Sequence, residues 1–385
     1  MNFFRKFIAL AALFWLPIGM HPLWASESAN VSFDQLVAKY IQDFPYQETH
    51  KYLKMYTRSN SAALNHWLKG SEPKLIKAGE DRIVRSNNDT FYKAAFVYLE
   101  DGPIVLNADA SSDERFSSIQ LIDDRNVNYQ NLIHPNGQYT IYYGEEPDNV
   151  VGEAIPAPSK LGLVLVRVEV KDINNEADVA AAAAIFEGIT LMAKPVTHFP
   201  QLDLLGAYSA EVAAEAQRQI DQTIATASFT DLIVGPGQQP GREVSFLNHA
   251  AGTKVGWGGP DPAHSAYNMI RLDDAGEPML GSQGPYELIT TEPPVNAFWS
   301  ITVYDTDRGG FLHPNKDDKY HINNTTAIKN PDGTVTFTFR QICTGSDINC
   351  LEVPAGRFDL AARYYLPKQD IILGIWRMPS AVRKH

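Results

Sequence analysis

One stretch decides the fold prediction: Arg82-Ile-Val-Arg-Ser-Asn-Asn-Asp-Thr-Phe-Tyr-Lys-Ala-Ala-Phe-Val-Tyr-Leu-Glu-Asp-Gly-Pro-Ile-Val-Leu106 begins polar and ends apolar. The aromatic and β-branched residues between positions 91 and 99 are typical of a strand. Asp101-Gly102-Pro103 is a turn signal, and a second apolar run starts at Ile104. The stretch therefore predicts a β-hairpin within a β-domain.

The mouth of this predicted hairpin is Ser86-Asn87-Asn88-Asp89-Thr90, five consecutive small polar residues. One interpretation is an Asx-turn that joins two elements. The other is a polar edge that faces a ligand, with Arg85 beside it to hold Asp89 or to bind an anion through its fork of donors. A buried amide without a partner costs about 1–3 kcal/mol, so these side chains must bond to backbone, water or ligand.

Length and charge limit the function classes. The 385 residues predict about two or three domains. The hydrophobic fraction of 44% is enough for real cores. A net charge of −12 argues against binding to nucleic acid or to anionic membranes.

The first 25 residues have the plan of a secretory signal peptide. Arg5 and Lys6 precede an apolar run over residues 7–16, and Ala25 offers a small residue for cleavage. No later stretch is long enough for a stable membrane span. The sequence therefore predicts a periplasmic or secreted protein that begins at Ser26.

The two cysteines, Cys343 and Cys350, lie close together near the C-terminus. In an oxidising compartment such a pair predicts a disulfide. A metal site would need further ligands, and Asp347 is the one candidate between them. No cofactor and no metal are predicted.

The periodicity of apolar residues predicts four segments after the export signal. Residues 26–80 are expected to be helical, with Ser32 and Gln35 as a capping box, and Pro45 is expected to interrupt the helix. Residues 81–172 show the period of strands, and residues 173–240 form a helical segment and linker. Residues 241–385 return to strands and turns. The predicted fold class is mainly β, with two antiparallel β-sandwiches and a helical part.

The segment Gly235-Pro-Gly-Gln-Gln-Pro-Gly241 matches the pattern G-x-G-x-x-G. A phosphate cradle uses free backbone N–H groups at the start of a helix, and Pro236 and Pro240 remove two of them. The residues that follow, 242–249, do not have the pattern of an opening helix. The segment is interpreted as an exposed linker.

Several motifs together resemble the bacterial tandem family in which domain of unknown function 1254 precedes domain of unknown function 1214. The resemblance covers most of the chain. It implies an immunoglobulin-like first sandwich, a helical part and a jelly-roll-like second sandwich, and it supplies no catalytic residues. The motifs are Ser86-Asn-Asn-Asp-Thr-Phe-Tyr92, Gly102-Pro-Ile-Val-Leu106, Gly256-Trp-Gly-Gly259 with Tyr267, Pro294-Val-Asn-Ala-Phe-Trp-Ser-Ile-Thr-Val-Tyr304, Asn330-Pro-Asp-Gly333, Asn349-Cys-Leu351, Pro354-Ala-Gly356, Arg363-Tyr-Tyr365, Gly374 and Trp376.

Two function classes and a third option stay open. A binding module would grip a small polar or glycan-like molecule in a cleft between the sandwiches. Its candidate residues are Arg85, Asn87, Asn88, Asp89, Trp257 and Tyr267. Trp299 alternates within an apolar strand and is expected in the core, while Tyr304 is a further aromatic candidate.

A hydrolase is the alternative, with Asp89 or Asp305 paired with a loop histidine as acid and base. His264, His313 and His321 are the candidate histidines. The turn at residues 305–310 resembles a calcium loop but lacks the downstream acidic ligand. A structural envelope protein is the third option. The oligomeric state stays open.

Overall fold

A computed structural model describes residues 31–80, 85–109, 114–201, 208–227 and 231–384. The predicted signal peptide, residues 1–25, lies outside the described residues. Arg82, at the start of the stretch that decides the fold, lies outside them as well.

The first sandwich packs two four-stranded sheets around one core. One sheet has the order β1-β7-β3-β4 and the other β6-β5-β2-β8. All pairs are antiparallel except β5 with β6. The strands are β1 (Thr90–Tyr98), β2 (Ile104–Asp109), β3 (Ser117–Asp123), β4 (Asn128–Ile133), β5 (Asn136–Tyr142), β6 (Glu153–Pro156), β7 (Leu161–Glu169) and β8 (Thr190–Ala193).

The predicted hairpin is wrong, although both of its strands exist. β1 pairs with β7, whereas β2 pairs with β5 and β8 in the opposite sheet. Ala95 of β1 and Ile104 of β2 are both buried in the core between the sheets. The turn signal marks a reversal of the chain correctly, but the apolar faces of the two strands meet across the core instead of pairing side by side.

The second sandwich packs the sheet β15-β14-β10-β17 against the sheet β12-β11-β16-β9, with β13 paired to β11. One pair, β14 with β15, is parallel. The strands are β9 (Ser265–Ile270), β10 (Tyr286–Thr290), β11 (Trp299–Asp305), β12 (Phe311–Leu312), β13 (His321–Asn323), β14 (Val335–Arg340), β15 (Cys350–Glu352), β16 (Phe358–Tyr365) and β17 (Val382–Arg383). Trp299 lies in this core, as predicted. The predicted fold class, mainly β with two sandwiches and a helical part, is confirmed.

The helices are α1 (Phe33–Thr57), α2 (Glu176–Gly188), α3 (Ala210–Thr226), α4 (Phe246–Gly256) and α5 (Gln369–Ile372). The Ser32–Gln35 capping box is present. Two local predictions are wrong. α1 continues through Pro45, and the residues after the proline-rich segment do form a helix, α4, which Ser245 caps.

A helical layer of α1, α3 and α4 has its own apolar core. Ile41, Ile220 and Ala250 each contribute a buried side chain to it, one from each helix. The helical part therefore extends past residue 240, where the sequence placed the start of the second sandwich. Helix α2 belongs elsewhere, because Ala182 and Phe186 pack in the core of the first sandwich.

Cys343 and Cys350 lie at disulfide distance, with their Cα atoms 6.0 Å apart. Within the described residues, no helix has the length and apolar character needed to cross a membrane.

Candidate functional site

A cavity of about 810 Å³ lies where the two sandwiches and the helical layer meet. The first sandwich contributes the outward face of β1 and β7, which carries Tyr92 and Arg167. The second sandwich contributes the outward face of β9 and β16, which carries Tyr267 and Arg363. The ends of α3 and α4 and the loop at Trp257 complete the wall. Strand alternation fixes this arrangement, because residues that flank the core positions must point outward.

Four of the six predicted site residues line this one cavity: Arg85, Asn87, Trp257 and Tyr267. The other two, Asn88 and Asp89, do not line it. Both are buried in the joint between the two sandwiches. Arg85 and Asn87 of the predicted segment therefore border the cavity, whereas Asn88 and Asp89 point into the protein interior.

Asp89 is the centre of that joint. Its carboxylate accepts hydrogen bonds from the hydroxyls of Ser300 and Tyr365, the latter at 3.0 Å. Its backbone carbonyl accepts from Val170 N–H at 2.9 Å. A fully buried carboxylate is stabilised only when it is hydrogen-bonded in this way. Asp89 therefore ties the outward face of the second sandwich to the first.

The two asparagines beside Asp89 have structural partners too. Asn87 Oδ1 accepts from Asp89 N–H at 3.0 Å, which is the predicted Asx-turn. Asn87 Nδ2 donates to Tyr92 at 3.1 Å and to Tyr365. Asn88 donates to the Ile76 carbonyl, and its Oδ1 lies 3.2 Å from His321 Nδ1. The turn interpretation is confirmed. Ser86 and Asn87 also line the cavity, and a ligand at this edge stays a prediction.

Arg85 does not hold Asp89, which corrects one prediction. Its guanidinium pairs with Asp359 of β16 at 2.5 Å, and its backbone N–H donates to the Gly310 carbonyl at 2.8 Å. The backbone at Arg85 is left-handed, with a φ of 54°. The chain turns sharply there, which directs the side chain to the second sandwich and away from the next carboxylate along the chain.

Arg363 of β16 is buried, with 3% of its surface exposed. It donates to Thr302 Oγ1 at 3.0 Å, to the Tyr304 hydroxyl at 2.6 Å and to the Arg85 carbonyl at 2.9 Å. Burial opposes the charge of Arg363, while Tyr304 and Asp89 favour it, and the net effect raises its pKa. The guanidinium is therefore charged at neutral pH.

Arg167 of β7 is the counterpart from the first sandwich, with 5% of its surface exposed. It donates to Gln120 Oε1, to the Gly258 carbonyl at 3.2 Å and to the Tyr92 hydroxyl at 3.3 Å. All three acceptors are neutral. Among the described residues, neither Arg167 nor Arg363 has a carboxylate within ion-pair distance.

The sequence prediction missed both arginines. Each one interrupts a strand that is otherwise almost entirely apolar or aromatic, at Leu161–Glu169 and at Phe358–Tyr365. A charged residue in such a strand is costly to bury without a partner. That pattern was the available signal, and it marks an outward face that is covered by another domain.

Trp257 forms part of the wall through packing. Its ring stacks on Tyr52, with centroids 4.5 Å apart, and its Nε1–H donates to Thr49 Oγ1 at 3.0 Å. The backbone N–H of the next residue, Gly258, donates to Asn126 Oδ1 at 2.9 Å. Gly258 has a φ of 74°, a conformation that favours glycine. The tryptophan is therefore fixed in place and one of its faces is already occupied.

The cavity lining is strongly cationic although the protein is acidic. Five arginines and two lysines line it, against one carboxylate, Asp231, among the described residues. Lys93 directs its ammonium elsewhere, to the Ile189 carbonyl at 2.5 Å. Lys69, Arg271 and Arg377 are exposed at the rim. An anion would meet positive charge both at the rim and in the interior.

The acid and base candidates lie outside this cavity. His313 Nδ1 is 3.9 Å from Asp305 Oδ2, which is beyond hydrogen-bond range. His264 Nδ1 is 3.4 Å from Asp261 Oδ2. Asp305 Oδ1 accepts from Arg308 N–H at 3.1 Å, which closes a turn. Within the described ranges, no three side chains of the metal-ligating types come together.

Comparison with known proteins gives the family. One family model, protein of unknown function (DUF1254), matches residues 70–193, and another, protein of unknown function (DUF1214), matches residues 264–369. Among curated proteins no match is found.

Two solved structures are similar to this chain. The VPA0106 protein from Vibrio parahaemolyticus has a TM-score of 0.74 at 17% identity, covering 92% of this chain and 100% of that one. A putative uncharacterized protein from Burkholderia cenocepacia has a TM-score of 0.46 at 14% identity, covering 89% of this chain and 88% of that one. The first likeness shows a shared fold. With the two family models in the order that the sequence motifs predicted, the chain belongs to the tandem family of DUF1254 followed by DUF1214.

Proposed function

We propose that this protein binds a small acidic molecule in the cavity between its two sandwiches. One observation carries the proposal: each sandwich contributes a buried arginine, Arg167 or Arg363, with no carboxylate in ion-pair distance among the described residues. A buried charge normally has a partner of opposite sign. A carboxylate or phosphate in the cavity would be that partner, and the planar guanidinium suits either group.

The three bonds of each guanidinium leave donors for such a ligand. An arginine carries five N–H donors. Arg167 and Arg363 each use three of them in the contacts described above. Burial also raises the pKa of the half-buried Tyr267, so its hydroxyl stays protonated at neutral pH. The predicted glycan-like ligand has less support, because the ring of Trp257 already stacks on Tyr52.

We expect Arg167→Met to weaken the binding of acids about tenfold, equivalent to ~1.4 kcal/mol, because it removes the charge and the donors of one guanidinium. A screen of acetate, phosphate, citrate, glucuronate, benzoate and octanoate by thermal shift would select ligands. Calorimetric titration of the folded proteins then gives their affinities.

The matched control is Arg242→Met, which removes an exposed arginine that does not line the cavity. Its affinities should equal those of the unmodified protein, and Arg167→Lys should recover part of the loss. Equal affinities in Arg167→Met and in the control, or no response to any acid, would refute the proposal.

We also propose that the protein acts outside the cytoplasm. The basic start at Arg5 and Lys6, the apolar run over residues 7–16 and the Cys343–Cys350 pair support this proposal. Protein from the periplasmic or secreted fraction is expected to begin at Ser26. Its intact mass should match that chain without the two thiol hydrogens. Retention of residues 1–25, or alkylation of the cysteines before reduction, would contradict it.

A further inference from the structure

The outward face of the first sandwich changes from polar to apolar along the cavity. Three successive cross-strand pairs of β1 and β7 line it: Tyr92 with Arg167, Ala94 with Leu165, and Phe96 with Leu163. The first pair is polar and the next two are apolar. Strand spacing separates the first pair from the third by ~13 Å, since they are four residues apart.

The opposite wall repeats this change. β16 and β9 present Arg363 with Tyr267, and the next outward pair is Ala361 with Met269. The two buried guanidiniums thus belong to the polar pairs of two facing sheets. The polar end also holds the turn at Ser86 and Asn87, while Ile224 and Val255 of the helical layer add further apolar surface to the lining.

From this arrangement we infer that the ligand is an amphipathic acid. Its anionic head lies against Arg167 and Arg363. Its apolar body extends over the half-buried Ala94 and Leu165 as far as Phe96 and Leu163, which are themselves buried. This inference rests on the proposed function and specifies the class of acid. The cavity volume of about 810 Å³ lies well within the size of small-molecule sites and exceeds what a small polar anion alone would fill.

The energetic reason lies in the apolar pairs. Ala94 and Leu165 are only half-buried, and both line the cavity. A hydrocarbon chain over them would remove apolar surface from water on the ligand and on the protein together. Affinity should therefore rise with each added methylene by about threefold to fourfold, until the chain reaches the end of the cavity.

The test is a series of straight-chain acids, from acetate through butyrate and octanoate to decanoate, each titrated below its micelle concentration, with decanol as the uncharged match. Decanoate should bind far more tightly than butyrate and at least about tenfold more tightly than decanol, because decanol lacks the charged head. Ala94→Phe places a bulky ring on the middle pair of the β1 and β7 wall and should weaken decanoate binding at least about tenfold.

The control for this variant is Ala154→Phe, a change at a half-buried strand alanine of β6 that does not line the cavity. Its decanoate affinity should equal that of the unmodified protein. Arginine-dependent binding of acids with no effect of chain length would overturn this inference and leave the proposed function standing. Decanol binding as tightly as decanoate, or Ala94→Phe binding as tightly as its control, would also overturn it. No binding of any acid would overturn both.

Discussion

Asp89→Ala is expected to lower the free energy of unfolding by roughly 3–5 kcal/mol, because two buried hydroxyls lose a charged acceptor. Ser300 and Tyr365 both donate to this carboxylate, and Arg363 loses a negative charge that favours its charged form. Equilibrium urea denaturation measures the change.

Two further variants sharpen this expectation. Asp89→Asn keeps one acceptor oxygen and should lose less stability than Asp89→Ala. Asp148→Ala removes an exposed carboxylate of the first sandwich and should change stability by no more than about 0.5 kcal/mol. If Asp89→Ala were as stable as Asp148→Ala, the joint would not depend on this carboxylate.

The joint also shows what the sequence could not predict. Ser86 to Thr90 has the local chemistry of a turn, and the turn is there. The partners of Asp89 lie 211 and 276 residues further along the chain, at Ser300 and Tyr365. Local residue types cannot identify such distant partners, so the same five residues fitted both a turn and a ligand edge.

Periodicity predicted the strands better than their pairing. The strands predicted at 91–99 and 161–170 are present, and alternation along them places Ala95 and Val166 in the core. It shows that Arg167 points outward, but an outward face is normally assumed to meet water. Only the assembled structure shows that the outward faces of two sandwiches meet each other. For this reason the residues that carry the proposed function were absent from the predicted site.

Helix ends were predictable where a side chain marks them. Ser32 with Gln35 caps α1 as expected. The Asn175 side chain likewise caps α2. The start of α4 was missed although Ser245 caps it. The glycines and prolines before it gave a strong loop signal, and that signal obscured a short helix whose stability comes from packing in the helical layer.

Glu169→Gln is expected to stabilise the protein at pH 8 by up to about 3 kcal/mol and at pH 5 by less than about 1 kcal/mol. Burial raises the pKa of Glu169 from 4.5 to about 7, the nearby Asp89 adds to the rise, and Arg115 and Lys171 oppose it. Between pH 4.5 and about pH 7, Glu169 of the folded protein therefore holds a proton that the unfolded chain has released. Stability from this group is therefore fully present below pH 4.5 and is lost as the pH rises to about 7.

Glu169 Oε2 accepts a hydrogen bond from Phe116 N–H at 2.9 Å, and the glutamine can keep this contact because its carbonyl oxygen is also an acceptor. Burial also raises the pKa of Asp123 to about 7, so the unmodified protein and Glu169→Gln share that second contribution, and only their difference reports on Glu169. Urea denaturation at pH 5 and pH 8 measures this difference. Glu153→Gln, at an exposed strand position, is the control and should behave like the unmodified protein. If Glu169→Gln and the unmodified protein lost stability equally between pH 5 and pH 8, Glu169 would not hold a proton in the folded state.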